Sequence, residues 1–237
     1  MRVCQRTHQG RVRASNQDCL LVDGCVYGVA DGMGGHQGGE TASRVAVQVL
    51  KNALHGKLPD PRALEMGMDA ANRRVFDMAR HDSGLSGMGT TVTLLWEDRA
   101  RVLLAHVGDS RAYRLRDGRL EQITQDHSIV AELLRGKVIT EEMARTHPYR
   151  NVITRAVGVD PAVTTDVIEQ DKRADDVWLV CSDGLYNMVS DEELAKILSD
   201  GDDDERAADR LLELALENGG TDNISFVICR VTEVAAQ

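Results

Sequence analysis

The chain is poor in the features that most readily place a sequence. Its five cysteines, Cys4, Cys19, Cys25, Cys181 and Cys229, are odd in number and show no C-x-x-C spacing. Neither a disulfide framework nor a zinc site is indicated, and free thiols in a reducing compartment are expected. Only four prolines occur, and no Pro-, Ser- or Gly-rich stretch reaches the length of a linker. With no internal repeat either, one domain spanning residues 1–237 is expected. No run approaches the roughly 18 consecutive apolar residues of a membrane span, and the opening MRVCQRTHQGRVRAS lacks the apolar stretch of a signal peptide. A cytoplasmic protein with no membrane contact is expected. Basic residues are outnumbered, 28 Lys and Arg against 38 Asp and Glu for a formal net charge of −10, and they are nowhere clustered. That distribution excludes the electrostatic footprint of a nucleic-acid binder.

Hydrophobic residues, at 42%, suffice for a substantial core. Short β-branched apolar runs dominate: 19–23, 25–30, 90–96, 101–107, 177–181 and 224–231, most of them separated by turn residues, which favours antiparallel strands. Helical spacing appears over 41–54, over 62–80 behind Pro61, over 191–198 behind a Ser190 cap, and over 205–217. Two helices fall among the early strands and two near the end. This order predicts a layered α+β domain in which antiparallel sheets pack together under helices on their outer faces. The segment 126–158 mixes short helix signals with polar turns, as lids and binding loops do. The acidic run Asp200 to Glu205 reads as a solvated loop and helix cap. It fails as a calcium loop because Glu205 stands where glycine is needed and Leu211 where a bidentate Glu is needed.

Four carboxylates sit at the ends of apolar runs beside small residues: Asp31 in VADGMGG, Asp109 in HVGDSRAY, Asp183 in LVCSDGL and Asp222 in GGTDNISF. One Asp-Gly pair is ordinarily a turn. Four such placements point to a site for hard, oxygen-seeking divalent cations, assembled from distant segments. Nucleotide motifs do not compete. Gly34 and Gly39 have P-loop spacing, but Glu40 replaces the phosphate-binding Lys, and Gln37 breaks the dinucleotide fingerprint counted from Gly32. No G-x-S-x-G elbow supplies a serine nucleophile, no cysteine has an evident base beside it, and the seven histidines are scattered, His106 reading as a core residue. Metal-activated water is the chemistry left.

Taken in order, RVRASNQD, VADGMGGHQGGE, GMGTTVT, HVGDSRAYRLRDGRL, ITQDHS, HPYRNVITRAVG, LVCSDGLYNMVSDEEL and GGTDNISFVICRV resemble the metal-dependent serine/threonine protein phosphatases of type 2C (PPM) in their short bacterial form, from about Thr7 to Val231. The resemblance implies a four-layer αββα sandwich with a flap at 126–158, and two manganese or magnesium ions. Asp31 would bridge the ions and the Gly32 carbonyl would ligate one. Asp183 and Asp222 would hold the first, and Asp18 would act at the second or through its waters. Asp109 with Asp183 resembles a third, weaker site. The ions would activate a water for attack on phosphorus, and Arg13 would bind the phosphate.

Two residues depart from the pattern. Gln17 stands where many members have Glu, and Met33 where eukaryotic relatives have a proton-donating His, which leaves His36 or a bound water as the acid. The implied role is hydrolysis of phosphoserine and phosphothreonine in proteins, opposing a bacterial serine/threonine kinase of the cell-division or type VI secretion kind, by a monomer. Competing readings are a non-catalytic metal-bound scaffold and a phosphatase acting on a regulatory partner-switching protein. Retention of every ligand aspartate speaks against the first, and the compact GMGG-type pattern with its flap speaks against the second.

Overall fold

The computed structural model describes residues 1–35, 38–200 and 203–232. Eleven strands among them form two antiparallel sheets. The first runs β1 (Arg2–His8), β11 (Ile224–Arg230), β10 (Val177–Cys181), β7 (Arg111–Arg116), β8 (Arg119–Gln122). The second runs β2 (Asp18–Asp23), β3 (Val26–Met33), β5 (Val92–Glu97), β6 (Arg101–Val107), β9 (Asp166–Asp171), with the two-residue β4 (Gly89–Thr90) on the end of β3. Helices α1 (Gly38–Leu54) and α2 (Pro61–His81) cover the second sheet, and α5 (Asp183–Tyr186), α6 (Asp191–Ser199) and α7 (Asp204–Glu217) the first. This is the expected four-layer sandwich.

Three apolar layers follow from that stacking. Tyr27, Val29, Leu95 and Leu104 of one sheet meet Ala112, Trp178, Val180 and Val227 of the other at the centre. Outside it, Ala42, Ala46, Leu50 and Leu54 recur every four residues along α1 and bury against β3 and β5 together with Leu64, Met68, Ala71 and Val75 of α2. On the far side, Leu194, Leu198, Ala208 and Leu211 pack on Leu179, Phe226 and Ile228. Covered on both faces, β5 and β10 are buried at every position. That is why their sequences are continuous apolar runs rather than alternating ones.

Caps fix where the helices begin. The Asp60 carboxylate accepts from Ala63 N ahead of Pro61, Ser190 and Glu193 form a reciprocal capping box on α6, and Asp203 accepts from Glu205 N and Arg206 N on α7. Four strands escape the hydrophobic pattern: β1, β7, β8 and β9 carry charge along their length, as in RAYRLR and DVIEQD. Strand β3 also continues beyond the expected end at residue 30. Gly32 and Met33 pair with Thr90 and Gly89, so Asp31 is a strand residue rather than the first residue of a turn. Segment 126–158 holds two short helices, α3 (Ile129–Arg135) and α4 (Glu141–Arg145). All five cysteines are free, and His106 is fully buried, as expected. Among the described residues no helix is long and apolar enough to cross a membrane.

Candidate metal and phosphate site

The expected carboxylates come from both sheets to the same end of the sandwich. Asp18 opens β2 directly opposite Asp31 of β3. Asp109 lies in the turn between β6 and β7, Asp183 opens α5 behind β10, and Asp222 lies two residues before β11. A cavity of about 660 Å³ is lined by Asp31, Gly32, Asp109, Asp183 and Asp222 together with Arg13. Asp18 packs behind Asp31 rather than on the cavity wall.

Backbone geometry positions each group. Asp31 N donates to Thr91 Oγ1 at 3.0 Å, and its carbonyl accepts from Thr91 N at 2.8 Å and Thr90 Oγ1 at 2.9 Å. With the main chain held on both sides, the carboxylate has one direction to point. Gly32 is crowded as well: a Cβ there would collide with the Gly39 carbonyl oxygen at the start of α1. Glycine at 32 therefore lets β3 pass under α1 and leaves its carbonyl free of side-chain bulk. Asp183 is the first residue of its short helix turn, and Asn187 Nδ2 at the far end of that turn donates to Asp183 Oδ2 at 3.2 Å. Tyr186 O–H donates to the Asp109 carbonyl at 3.0 Å, and the Arg111 guanidinium lies 3.7 Å from the Tyr186 ring centre while binding Asp126. The two carboxylate turns are thus tied together from behind.

Arg13 is in the loop between β1 and β2, about half exposed, and donates to Asp222 Oδ2 at 2.6 Å. Three bonds from one buried amide shape that loop: Asn223 Nδ2 donates to the Gln9 and Ser15 carbonyls at 2.9 Å each, and Asn223 Oδ1 accepts from Gln17 N at 2.8 Å. The sequence offered Asn223 only as a turn former beside Asp222. Ser182, whose hydroxyl donates to Asp18 Oδ2 at 2.8 Å, gave no signal at all beyond its place before Asp183. Gln17 lines the cavity, and its carbonyl accepts from Ser43 Oγ at 2.6 Å. Met33 lines the cavity too, as do Asn151 and Ile153 of segment 126–158. His36 lies outside the described residues.

The electrostatics are those of crowded anions. Burial, opposed by bonds from Ser225 and Ser182, pushes Asp18 up to about 6 from an ordinary 3.8. Asp109 is likewise raised to about 6, first by burial and then by the Asp126 charge. Asp31 and Asp183 are held well above the usual carboxylate range, first by burial and then by their aspartate neighbours. Arg13 is raised by its bond to Asp222. Such a set is short of positive charge.

Its donors fit a hard divalent cation. All are carboxylate or carbonyl oxygens, and Asp18 Oδ1 is buried with no hydrogen-bond partner. As the side chains lie, no three His, Cys, Asp or Glu among the described residues form a ready ligand set. Asp222 is turned to Arg13 and Asp18 to Ser182, so rotation of these two carboxylates is part of the fit.

Residues 5–214 match the family model described as protein phosphatase 2C. The serine/threonine protein phosphatase PstP of Mycobacterium tuberculosis is 38% identical over 241 residues, covering 98% of this chain and 45% of that protein, so the chain spans just under half of that relative's length. The serine/threonine phosphatase Stp of Listeria welshimeri is 37% identical over 238 residues, covering 94% and 93%. Among solved structures, the M. tuberculosis phosphatase PstP/Ppp superposes with a TM-score of 0.93 at 37% identity, covering 98% and 99% of the two chains. The PstP catalytic domain in complex with 2 manganese ions gives 0.89 at 36%, covering 98% of each. PppA, a key regulatory component of T6SS in Pseudomonas aeruginosa, gives 0.86 at 37%, covering 97% and 96%.

Proposed function

We propose, because this chain belongs to the protein phosphatase 2C family, that it is a metal-dependent serine/threonine protein phosphatase with residues 1–237 as one catalytic unit. The observation that carries this reading is the convergence of four aspartates from both sheets on a cavity that also presents Arg13, with Asp18 behind Asp31. In this reading Asp31 would help hold both of two ions and the Gly32 carbonyl one of them, Asp183 and Asp222 would hold the first, Asp18 would serve the second or its waters, and Asp109 with Asp183 a weaker third. Manganese or magnesium suits these oxygens, and the manganese-bound relative supports the former. When bound, such ions supply Lewis acidity toward phosphoryl oxygen and activate water for attack on phosphorus.

The chain's own groups bind and orient. Arg13 offers a planar fork to two phosphate oxygens, and Asp222 holds it at the cavity mouth until a phosphate competes. Among the described residues no serine or cysteine lines the cavity in an activated pair, so direct transfer to water without a phosphoenzyme is the route assigned. Met33 has no proton to give, which leaves protonation of the departing alkoxide to His36 or to water.

The substrates assigned are phosphorylated proteins in the cytoplasm, met by a monomer, and the partner is the serine/threonine kinase whose products it reverses. Likeness to the P. aeruginosa regulator makes a kinase of a type VI secretion system one candidate. Segment 126–158 is assigned the choice among substrates, since Asn151 and Ile153 face the carboxylates across the cavity. Chelator-stripped protein should hydrolyse a phosphothreonine peptide only when manganese is restored, and a phosphotyrosine peptide poorly. Absence of hydrolysis with manganese demonstrably bound would instead assign the site to a scaffold.

A further inference from the structure

Helix α2 carries one residue that its packing does not explain. The face it turns to the core reads Leu64, Met68, Ala71 and Val75, and within that stripe Asn72 is only 2% exposed. A buried amide on an apolar face is costly unless both its ends are bonded. Here both are: Asn72 Oδ1 accepts from Gly158 N at 2.7 Å, and Asn72 Nδ2 donates to the Asp160 carbonyl at 3.0 Å. Gly158 has a φ of +90°, and a Cβ there would collide with Val75, so the backbone at 158 lies directly against the helix.

What Asn72 grips is the trailing root of segment 126–158. Val157, fully buried, exchanges both backbone hydrogen bonds with Thr90 at 3.0 and 2.8 Å. Thr90 in turn pairs with Gly32 and donates its hydroxyl to the Asp31 carbonyl. A few residues earlier in the same stretch, Thr154 N donates to the His127 carbonyl at 2.7 Å, Ile153 bridges Ser128, and Asn151 and Ile153 face into the cavity. The stretch that brings Asn151 and Ile153 to the cavity is therefore hung at its far end from an amide on the outer helix layer.

We propose that Asn72 is a positioning residue for the phosphatase reaction, fixing the stretch 151–158 and with it the cavity wall that a phosphoprotein must fit. The inference rests on the function proposed above. Asn72 touches no reacting atom, so its loss changes the fit of an extended substrate more than the chemistry. A small aryl phosphate, which reaches only Arg13 and the carboxylates, is little affected.

The test compares wild type with Asn72→Leu, which keeps the branched shape and removes both bonds, and with Asn72→Asp, which keeps the acceptor for Gly158 N and serves should the leucine variant not fold. Hydrogen exchange should quicken at residues 151–157 by about tenfold or more while α7 and β11 stay protected. With manganese present, KM for a phosphothreonine peptide should rise roughly fivefold, with kcat and the aryl phosphate constants within about twofold, and Asn72→Asp should fall between the two. Unchanged exchange at 151–157, uniform loss of protection across the molecule, or equal loss on both substrates would overturn the positioning role. Wild type inactive on both substrates would overturn the function, and the role with it, an outcome distinct from a missing KM split.

Discussion

On the sandwich side of the cavity, Asp31 sits in a strand whose backbone is bonded on both edges, and Asp18, Asp183 and Asp222 stand at strand ends in the same two sheets. On the facing side, Asn151 and Ile153 belong to a segment of two short helices whose Val138, Met143, Tyr149 and Val152 are left exposed. The first wall is anchored in three apolar layers, and the second is fastened only at its roots. Groups that must hold charge within a fraction of an ångström belong on the first, and groups that meet diverse partners on the second.

The sharpest way to break this comparison is at the sandwich wall. On the proposed reading Asp183→Ala should lower kcat by more than about a hundredfold on peptide and aryl phosphate alike, since it would remove a buried oxygen ligand that serves any substrate. A residual rate within tenfold of wild type would remove Asp183 from the site. Next in size is replacement of 126–158 by the corresponding segment of another family member. That exchange should move kcat/KM among phosphopeptides by about tenfold and leave the aryl phosphate within about twofold, because specificity there is differential binding outside the reacting centre. Equal effects on both substrates would mean that the two walls are not separable.

Smaller effects sharpen the electrostatics of the carboxylate side. Gln17→Glu should lower the manganese concentration for half-maximal activity several-fold, roughly the influence of a residue adjoining a ligand set. An unchanged requirement would place position 17 outside it. Asp18 and Asp109, raised to about 6 from 3.8, bind protons more tightly folded than unfolded. The stability they lend is complete below about 3.8 and is lost as pH rises through about 6. Manganese competes with those protons, so it should raise the thermal midpoint more at about pH 7 than at about pH 5, by the equivalent of about 2.7 kcal/mol at a hundredfold excess over Kd. Equal shifts at both pH values would show the cation binding elsewhere.

Legibility in the sequence followed burial. Runs enclosed on two faces, such as Val177–Cys181, announced themselves, and so did helices with a four-residue apolar repeat. Strands β7 and β9 did not, because Arg111, Arg114 and Arg116 spend their charge on Asp126, Glu121, Asp171 and Asp176 across the sheet edge, pairings no local pattern reveals. Within the site, aspartates beside small residues at strand ends were visible. Asp18 was visible only through family resemblance, since at the start of a strand it has no glycine or turn to mark it. Ser182, Asn223 and Asn72 were hidden for a different reason: their meaning lies in backbone groups 41 or more residues away.

Strand β1 pairs along its whole length with β11, and the side chains of Thr7 and Ser225 meet across 218 residues of chain. The loop that carries Arg13 is shaped by Asn223 at the mouth of that same late strand. During synthesis the Arg13 loop therefore waits for the 214 residues that separate Gln9 from Asn223, roughly ten to forty seconds at elongation rates of about 5–20 residues per second. A chain ended before β11 cannot place Arg13 beside Asp222, so on the proposed reading the phosphate-binding and cation-binding parts of the site are completed together.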